Sequence, residues 1–118
     1  MSWRGLSRRV RSMANLDGLL GLAARARALV SGDDACMRAI RTRKAALVIV
    51  ACDAGANGMK KLRDKCLYYG IPLVSALTKG QLGRALGKDE RAVVAVTNAR
   101  FAAQIAQIVK DSVGGEDI

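Results

Sequence analysis

Histidine is absent from the sequence, and aromatic residues make up only 3% of its 118 residues. Histidine is the usual general base of enzymes and the commonest metal ligand, so its absence argues against catalysis and against a metal site. The carboxylates are scattered rather than paired at a useful spacing. We therefore predict a non-catalytic protein with no catalytic residue, cofactor, metal or small-molecule substrate. The shortage of aromatic rings also disfavours a platform on which unpaired bases would stack.

The cysteines are three in number and lack the CxxC spacing of metal and redox sites. Cys36, Cys52 and Cys66 each lie in a segment typical of buried helix or strand, so we expect small core side chains in a reducing compartment. The apolar run after the basic N-terminus is interrupted by Arg25 and Arg27, which excludes a signal peptide and a membrane span. A cytoplasmic protein without a membrane partner is expected.

Positive charge is what the sequence has in excess. Twenty Lys and Arg residues against ten Asp and Glu residues give a net charge of +10. Such a charge attracts polyanions and makes their binding steeply dependent on salt, so nucleic acid is the expected partner. A basic surface with no dedicated partner is the alternative. The length and the 51% hydrophobic content suit one domain with a core of its own.

Short apolar runs alternate with segments of helical periodicity along the chain. Strands are predicted at 28–30, 46–51, 71–75 and 92–96, and helices begin at about 15, 33, 58, 79 and 98. Ser31 and Asn57 are predicted to cap the second and third helices, and Thr78 the fourth. Gly70 and Gly87 are predicted to end the third and fourth. This alternation predicts an α/β fold, a three-layer α/β/α sandwich with a mostly parallel or mixed sheet of about four strands.

The two ends of the chain differ from its middle. Residues 1–13 carry four arginines, no acid and no apolar period, and we predict that they form a mobile basic N-terminal arm. The single domain is expected to span residues 14–112, and residues 113–118 to form a frayed tail. A helix start two residues after Met13 also fits a natural domain that begins at Met13, with residues 1–12 as an extension.

The segment from Ser31 to Ala45 joins a glycine turn, a short helix and a basic exit. Asp34, Arg38 and Arg41 fall at i, i+4 and i+7, so they form a row along one helix face. A planar guanidinium fork suits RNA. The alternative is a solvated face with an Asp34–Arg38 ion pair worth only ~0.3 to 0.5 kcal/mol.

A glycine-rich stretch later in the chain is similar to a phosphate-binding loop. Residues 83–89 read Gly-Arg-Ala-Leu-Gly-Lys-Asp, which is one residue short of a Walker loop. The stretch also ends in Asp where Ser or Thr would bind magnesium, and it lies in a helix and its cap. We therefore predict no nucleotide site there.

Five segments carry a resemblance to a known family through their order and spacing. They are Leu20–Ala23, Leu29–Gly32, the 38–51 block, Lys65–Pro72 and Leu82–Gly87. Together they resemble the kink-turn RNA-binding superfamily of ribosomal proteins, and in particular its bacterial branch, the YlxQ proteins, over about residues 14 to 110. The resemblance implies an α/β/α sandwich that grips a sharply bent RNA duplex where tandem sheared G·A pairs open the major groove.

The resemblance also implies where RNA would bind. That family uses a Gly-x-Asn-Glu-x-x-Lys stretch, the loop after the central strand and the loop before the last strand. Gly32 matches the glycine and Arg38 stands for the lysine, whereas Asp34 replaces the asparagine and Ala35 the glutamate. The candidate RNA-binding residues are Gly32, Asp33, Asp34, Arg38, Arg41, Lys44, Asp53, Lys88, Glu90 and Arg91. Seven of them are expected to lie on one edge of the domain: Gly32, Asp34, Arg38, Arg41, Lys44, Lys88 and Arg91.

Two functions fit these observations. One is a non-catalytic binder of structured RNA, kink-turn-like or ribosomal, that associates with ribosomal or other ribonucleoprotein components. The other is a protein–protein adaptor on a ribonucleoprotein that kept the fold and lost kink-turn specificity.

Overall fold

The computed structural model describes residues 15–114, in which five helices and four strands alternate along the chain. Helix α1 covers residues 15–25. The remaining elements are β1 (Leu29–Ser31), α2 (Asp33–Arg41), β2 (Leu47–Val50), α3 (Ala56–Tyr69), β3 (Leu73–Ser75), α4 (Lys79–Leu86), β4 (Val93–Val96) and α5 (Ala99–Gly114). Every predicted strand is present, with ends shifted by no more than two residues.

The strands form one mixed sheet in the order β1-β4-β2-β3. β2 and β3 are parallel, whereas β4 is antiparallel to both β1 and β2. A mixed sheet is one of the two arrangements predicted above, and the mostly parallel one is not formed. The reason lies after α4, where the chain folds back along that helix and the Arg91 N–H donates to the Lys79 carbonyl at 3.1 Å. Because of this return, β4 begins at the edge where β3 ended.

Helices cover both faces of the sheet, which confirms the predicted α/β/α sandwich. On one face, Leu20 of α1, Leu82 of α4 and Ile105 of α5 are fully buried against β2 and β4. On the other face, α2 and α3 bury Ile40 and Leu62 against the same two strands. All residues of β2 and β4 are buried, as expected of continuous apolar runs between two helical layers.

Three of the predicted helix caps are confirmed. The Thr78 hydroxyl accepts a hydrogen bond from the Gln81 N–H at 3.2 Å, and the Gln81 side chain accepts one from the Thr78 N–H at 2.9 Å. This reciprocal pair is a capping box at the start of α4. Gly70 and Gly87 end α3 and α4 with φ values of 68° and 70°, a left-handed conformation that glycine adopts without strain.

Two predicted caps are wrong. Ser31 is the last residue of β1, and α2 begins after Gly32 without a side-chain cap. Asn57 lies inside the first turn of α3, which begins after Gly55, also without a side-chain cap. The glycine of each turn, rather than the neighbouring polar residue, therefore occupies the capping position.

The cysteines divide between the core and the surface. Cys36 and Cys66 are buried as predicted, and burial raises the pKa of the Cys36 thiol to about 12 and also raises the pKa of the Cys66 thiol. Such thiols stay protonated and pack as small apolar groups. The prediction is wrong for Cys52, which is exposed because β2 ends at Val50 and the chain has already left the core.

The two ends of the chain lie largely outside the described residues. This holds for the predicted arm, residues 1–13, and for residues 115–118 of the predicted tail. Helix α5 continues to Gly114, past its predicted end at residue 112. In the described range 15–114, no helix has the length and apolar character needed to cross a membrane.

Candidate nucleic-acid interface

Four loops meet at one edge of the sheet because of the directions in which the strands run. β1, β2 and β3 end at this edge and β4 begins there, since Ser31 pairs with Val94, and Val50 pairs with both Val93 and Ser75. The amino termini of α2, α3 and α4 therefore all lie at this edge, those of α2 and α3 on one face of the sheet and that of α4 on the other. We call this surface the loop edge and define it by residues 32–38, 52–55, 76–79 and 87–92.

Gly32 gives the loop edge a stretch of backbone that is open to solvent. Its φ of 94° and ψ of 156° fall in a region that is essentially restricted to glycine. Its N–H donates to the Val93 carbonyl at 3.1 Å, which holds the turn against the start of β4. A Cβ at this position would meet no atom within 4 Å. Backbone conformation, and not crowding, therefore requires glycine here, and the space around it can admit a ligand.

The first two turns of α2 carry four of the residues discussed in the sequence analysis. Asp33, Asp34 and Arg38 are exposed, and Ala35 is half-buried. Asp34 and Arg38 lie one turn apart on one face. Within residues 15–111 neither side chain has an ion-pair partner, so the alternative of an Asp34–Arg38 ion pair is not supported. The five N–H donors of the Arg38 guanidinium are thus available to an external acceptor.

Arg91 is bonded within the protein instead of projecting from it. Its Nε donates to the Ser31 hydroxyl at 3.3 Å, and its Nη1 donates to the carbonyl oxygens of Asp89 at 3.3 Å and Glu90 at 2.9 Å. The bond to Ser31 holds the α4–β4 loop against the end of β1, and the two bonds from Nη1 lie within the loop itself. Arg91 therefore positions the loop, whereas Lys88 and Glu90 are exposed.

Gly83 allows the same loop to lie directly on α4. A Cβ at Gly83 would overlap the Asp89 carbonyl oxygen and would lie 2.6 Å from the Asp89 carbonyl carbon and 3.0 Å from the Glu90 Cα. Gly83 is not among the predicted site residues. The signal that could have identified it is a glycine inside a helix, which costs ~1 kcal/mol relative to alanine unless a close approach requires it.

The β2–α3 and β3–α4 loops are joined to each other. One Asp53 carboxylate oxygen accepts a hydrogen bond from the Lys79 N–H at 2.9 Å, and the Cys52 N–H donates to the Leu77 carbonyl at 2.8 Å. Leu77 has a φ of 64°, a conformation that costs a branched residue on the order of 1–3 kcal/mol. Asp53 therefore braces these loops, and backbone strain is stored within the loop edge.

Arg41 and Lys44 do not lie at the loop edge. Helix α2 has nine residues and is thus ~13 Å long, and it runs away from Gly32. The chain then reaches the opposite edge of the sheet, where the Ala46 N–H donates to the Val96 carbonyl at 2.7 Å. The expectation of a single edge is therefore wrong for these two residues, although both are exposed.

The fold and the loop edge correspond to a known class of protein. Residues 14–106 match the ribosomal protein L7Ae/L30e/S12e/Gadd45 family. The chain belongs to this family, which confirms the resemblance seen in its sequence segments.

Bacterial relatives cover most of the same residues. The chain is 45% identical over 91 residues to the RNA-binding protein YlxQ of Bacillus subtilis (strain 168), which is 77% of this chain and 91% of that protein. It is 34% identical over 92 residues to the RNA-binding protein YlxQ of Enterococcus faecium, which is 78% of this chain and 88% of that protein. The resemblance to the YlxQ branch is thereby confirmed.

Solved structures share the architecture. A protein of unknown function from Bacillus halodurans C superimposes with a TM-score of 0.78 at 42% identity, covering 80% of this chain and 96% of that one. The Giardia lamblia 15.5kD RNA binding protein superimposes with a TM-score of 0.68 at 25% identity, covering 91% of this chain and 88% of that one.

Proposed function

We propose that this protein is a non-catalytic, cytoplasmic binder of structured RNA and that it binds RNA with the loop edge. The observation that carries the proposal is the position of Arg38 near Gly32. An exposed guanidinium without an ion-pair partner among the described residues lies within two helical turns of backbone that is open to solvent. The net charge of +10 adds a general attraction to phosphate. Relatives that are named as RNA-binding proteins support the same conclusion.

The rigidity of the loop edge also favours a structured RNA. Arg91, Asp53 and Gly83 fix three of the four loops by bonds and close contacts that do not involve a ligand. A surface held in this way loses little conformational freedom on binding, so it suits a rigid partner of matching shape. We propose a bent duplex of the kink-turn type, in ribosomal RNA or another ribonucleoprotein, as that partner.

Residues 34 and 35 differ from the family's asparagine and glutamate, and these differences limit hydrogen bonding to base edges. Asp34 offers only acceptor oxygens where an amide would also donate, and Ala35 offers no polar atom at all. We therefore propose that contacts to phosphates and groove shape contribute more to binding than hydrogen bonds to base edges do.

Substituting Arg38 and a matched arginine tests the proposal. Arg38→Ala should weaken binding to a labelled kink-turn RNA by ~1 to 3 kcal/mol, because the guanidinium contacts base edges or phosphate in a partly desolvated groove. Arg63→Ala is the control, since Arg63 is also exposed but lies midway along α3. It should weaken binding less. Fluorescence anisotropy with the kink-turn and with a plain duplex measures both variants.

Equal losses for the two variants would show that only net charge matters. In that case the loop edge is not a specific RNA site, and a protein–protein adaptor on a ribonucleoprotein becomes the better explanation of the fold.

A further inference from the structure

An apolar groove lies beside β3, the strand at one edge of the sheet. Its volume is about 580 Å³, and its lining includes Leu67, Ile71, Pro72 and Leu73, with the Arg63 side chain as its charged member. The groove lies between the carboxyl-terminal half of α3 and β3, away from the residues that define the loop edge. It is therefore a separate surface feature from the proposed RNA site.

Large apolar side chains are unusually exposed next to this groove. Leu67 is 75% exposed and Tyr68 is 80% exposed. The Tyr68 and Tyr69 rings meet edge to face, with 4.9 Å between ring centroids. Adjacent exposed apolar residues beside an apolar groove are typical of a surface that binds another molecule.

The backbone of β3 has one paired side and one free side. On the paired side, the Val48 N–H donates to the Pro72 carbonyl at 2.9 Å, and the Ala76 N–H donates to the Val50 carbonyl at 3.1 Å. In a parallel pair alternate residues bond to the neighbouring strand, so the even-numbered residues from 72 to 76 face β2.

The odd-numbered residues of β3 therefore direct their backbone groups away from the sheet. The N–H and carbonyl groups of Leu73 and Ser75 have no partner within residues 15–111. Proline often protects an edge strand by removing a donor. Pro72 does not protect this edge, since its missing donor falls on the side that faces β2. The free side thus keeps two donors and two acceptors in the spacing of a strand.

We propose that the free edge of β3, together with the groove beside it, binds an extended acidic segment of a partner protein as a fifth strand. Main-chain hydrogen bonds to Leu73 and Ser75 would set the register, and alternate apolar side chains of the segment would enter the groove against Leu67. This proposal does not depend on RNA binding.

Charge decides the chemistry of the partner. Helix α3 carries four cations, Lys60, Lys61, Arg63 and Lys65, against the single acid Asp64. An acidic segment would approach this helix favourably. A second copy of the chain would instead bring two such basic helices and two net charges of +10 together. An RNA strand is also disfavoured, because Arg63 is the only charged side chain in the lining of this groove, which is otherwise mostly apolar and offers phosphates few donors.

Amide exchange and binding of two synthetic peptides test the proposal. One peptide has a Val-Thr-Val core with two Glu residues at each end, and its twin carries Lys in place of Glu. In nuclear magnetic resonance titrations, the Glu peptide should bind and should protect the amide hydrogens of Leu73 and Ser75 from exchange. The Lys peptide should not bind, and added salt should weaken the binding of the Glu peptide.

Leu67→Ser and Leu22→Ser form a matched pair of variants. Leu22 is likewise an exposed leucine, with 51% of its surface accessible, but it lies on α1. Leu67→Ser should weaken binding of the Glu peptide about tenfold, because a leucine buried on binding contributes about 1.5 kcal/mol or more. Leu22→Ser should leave it unchanged. Neither variant should alter affinity for the kink-turn RNA, so this test and that of the proposed function fail independently.

Several results would overturn the proposal. They are absence of binding by the Glu peptide, equal binding of both peptides, binding without protection of Leu73 and Ser75, and protection that rises with protein concentration alone. The last result would identify a second copy of the chain as the occupant.

Discussion

The close contact at Gly83 gives a prediction that joins stability to the proposed function. Replacing Gly83 with alanine places a Cβ 2.6 Å from the Asp89 carbonyl carbon, whereas ordinary contact begins at 3.4 Å. The α4–β4 loop must then retreat by at least about 0.8 Å, the difference between these two distances, and farther still to clear the Asp89 carbonyl oxygen, which lies nearer to the added Cβ. The obstacle is backbone, which cannot rotate aside as a flexible side chain can.

Two opposing effects set the size of the loss. Overpacking a site of this kind typically costs ~1 to 3 kcal/mol. Alanine recovers up to ~1 kcal/mol of helix propensity relative to glycine. The net expectation is a loss of about 1 to 2 kcal/mol, or a fall of roughly 4 to 16 °C in Tm for a domain of this size. RNA affinity should fall as well, because the retreat of the loop strains the bond between Arg91 and Ser31.

Gly80→Ala is the matched control because it makes the same chemical change in the same helix. A Cβ at Gly80 would meet only the Thr78 hydroxyl oxygen, at 4.0 Å. This variant should be neutral or slightly more stable than the parent. Circular dichroism during thermal and urea unfolding measures both variants, and the urea midpoint should move without a change in m. Equal stability of the two variants would refute the close contact on which the reasoning rests.

Three further predictions concern the proposed RNA site. Affinity for structured RNA should fall with added salt, with a log-log slope of ~0.7 to 0.9 in magnitude per phosphate neutralised, and a flat response would exclude electrostatic binding. Deleting residues 1–12 should leave Tm nearly unchanged and weaken RNA binding modestly, whereas a large loss of stability would show that the arm belongs to the fold. The double substitution Asp34→Asn and Ala35→Glu should raise the preference for a kink-turn over a plain duplex in a competition assay.

Short sequence patterns predicted the helices and strands because interactions between residues close in the sequence form them. The runs at β2 and β4 are apolar throughout since both faces of these strands are buried, and Thr78 with Gln81 forms a cap within a single turn. The direction of β4 has no such local signal. It follows from the return of the chain along α4, which depends on Gly83 and on the bond between Arg91 and Lys79.

The part of the candidate site that could be predicted is the part formed by residues close to one another in the sequence. Gly32 and Arg38 lie within two turns of each other, and the family resemblance assigned them together. The bonds of Arg91 and Asp53 could not be foreseen, because their partners lie 60 and 26 residues away along the chain. Both are charged residues in loops, where pattern alone cannot distinguish a brace from a ligand contact.

The double substitution at residues 34 and 35 separates base recognition from general attraction to RNA. Asp34 is exposed and Ala35 is half-buried at the start of α2, so neither change should disturb the core or move Tm appreciably. Net charge also stays the same, because one carboxylate is removed at residue 34 and another is added at residue 35. Any gained preference for the kink-turn must then come from the amide donor and the relocated carboxylate. If affinity for both RNAs stays equal, the loop edge does not place these two positions against base edges, and the kink-turn part of the proposal fails.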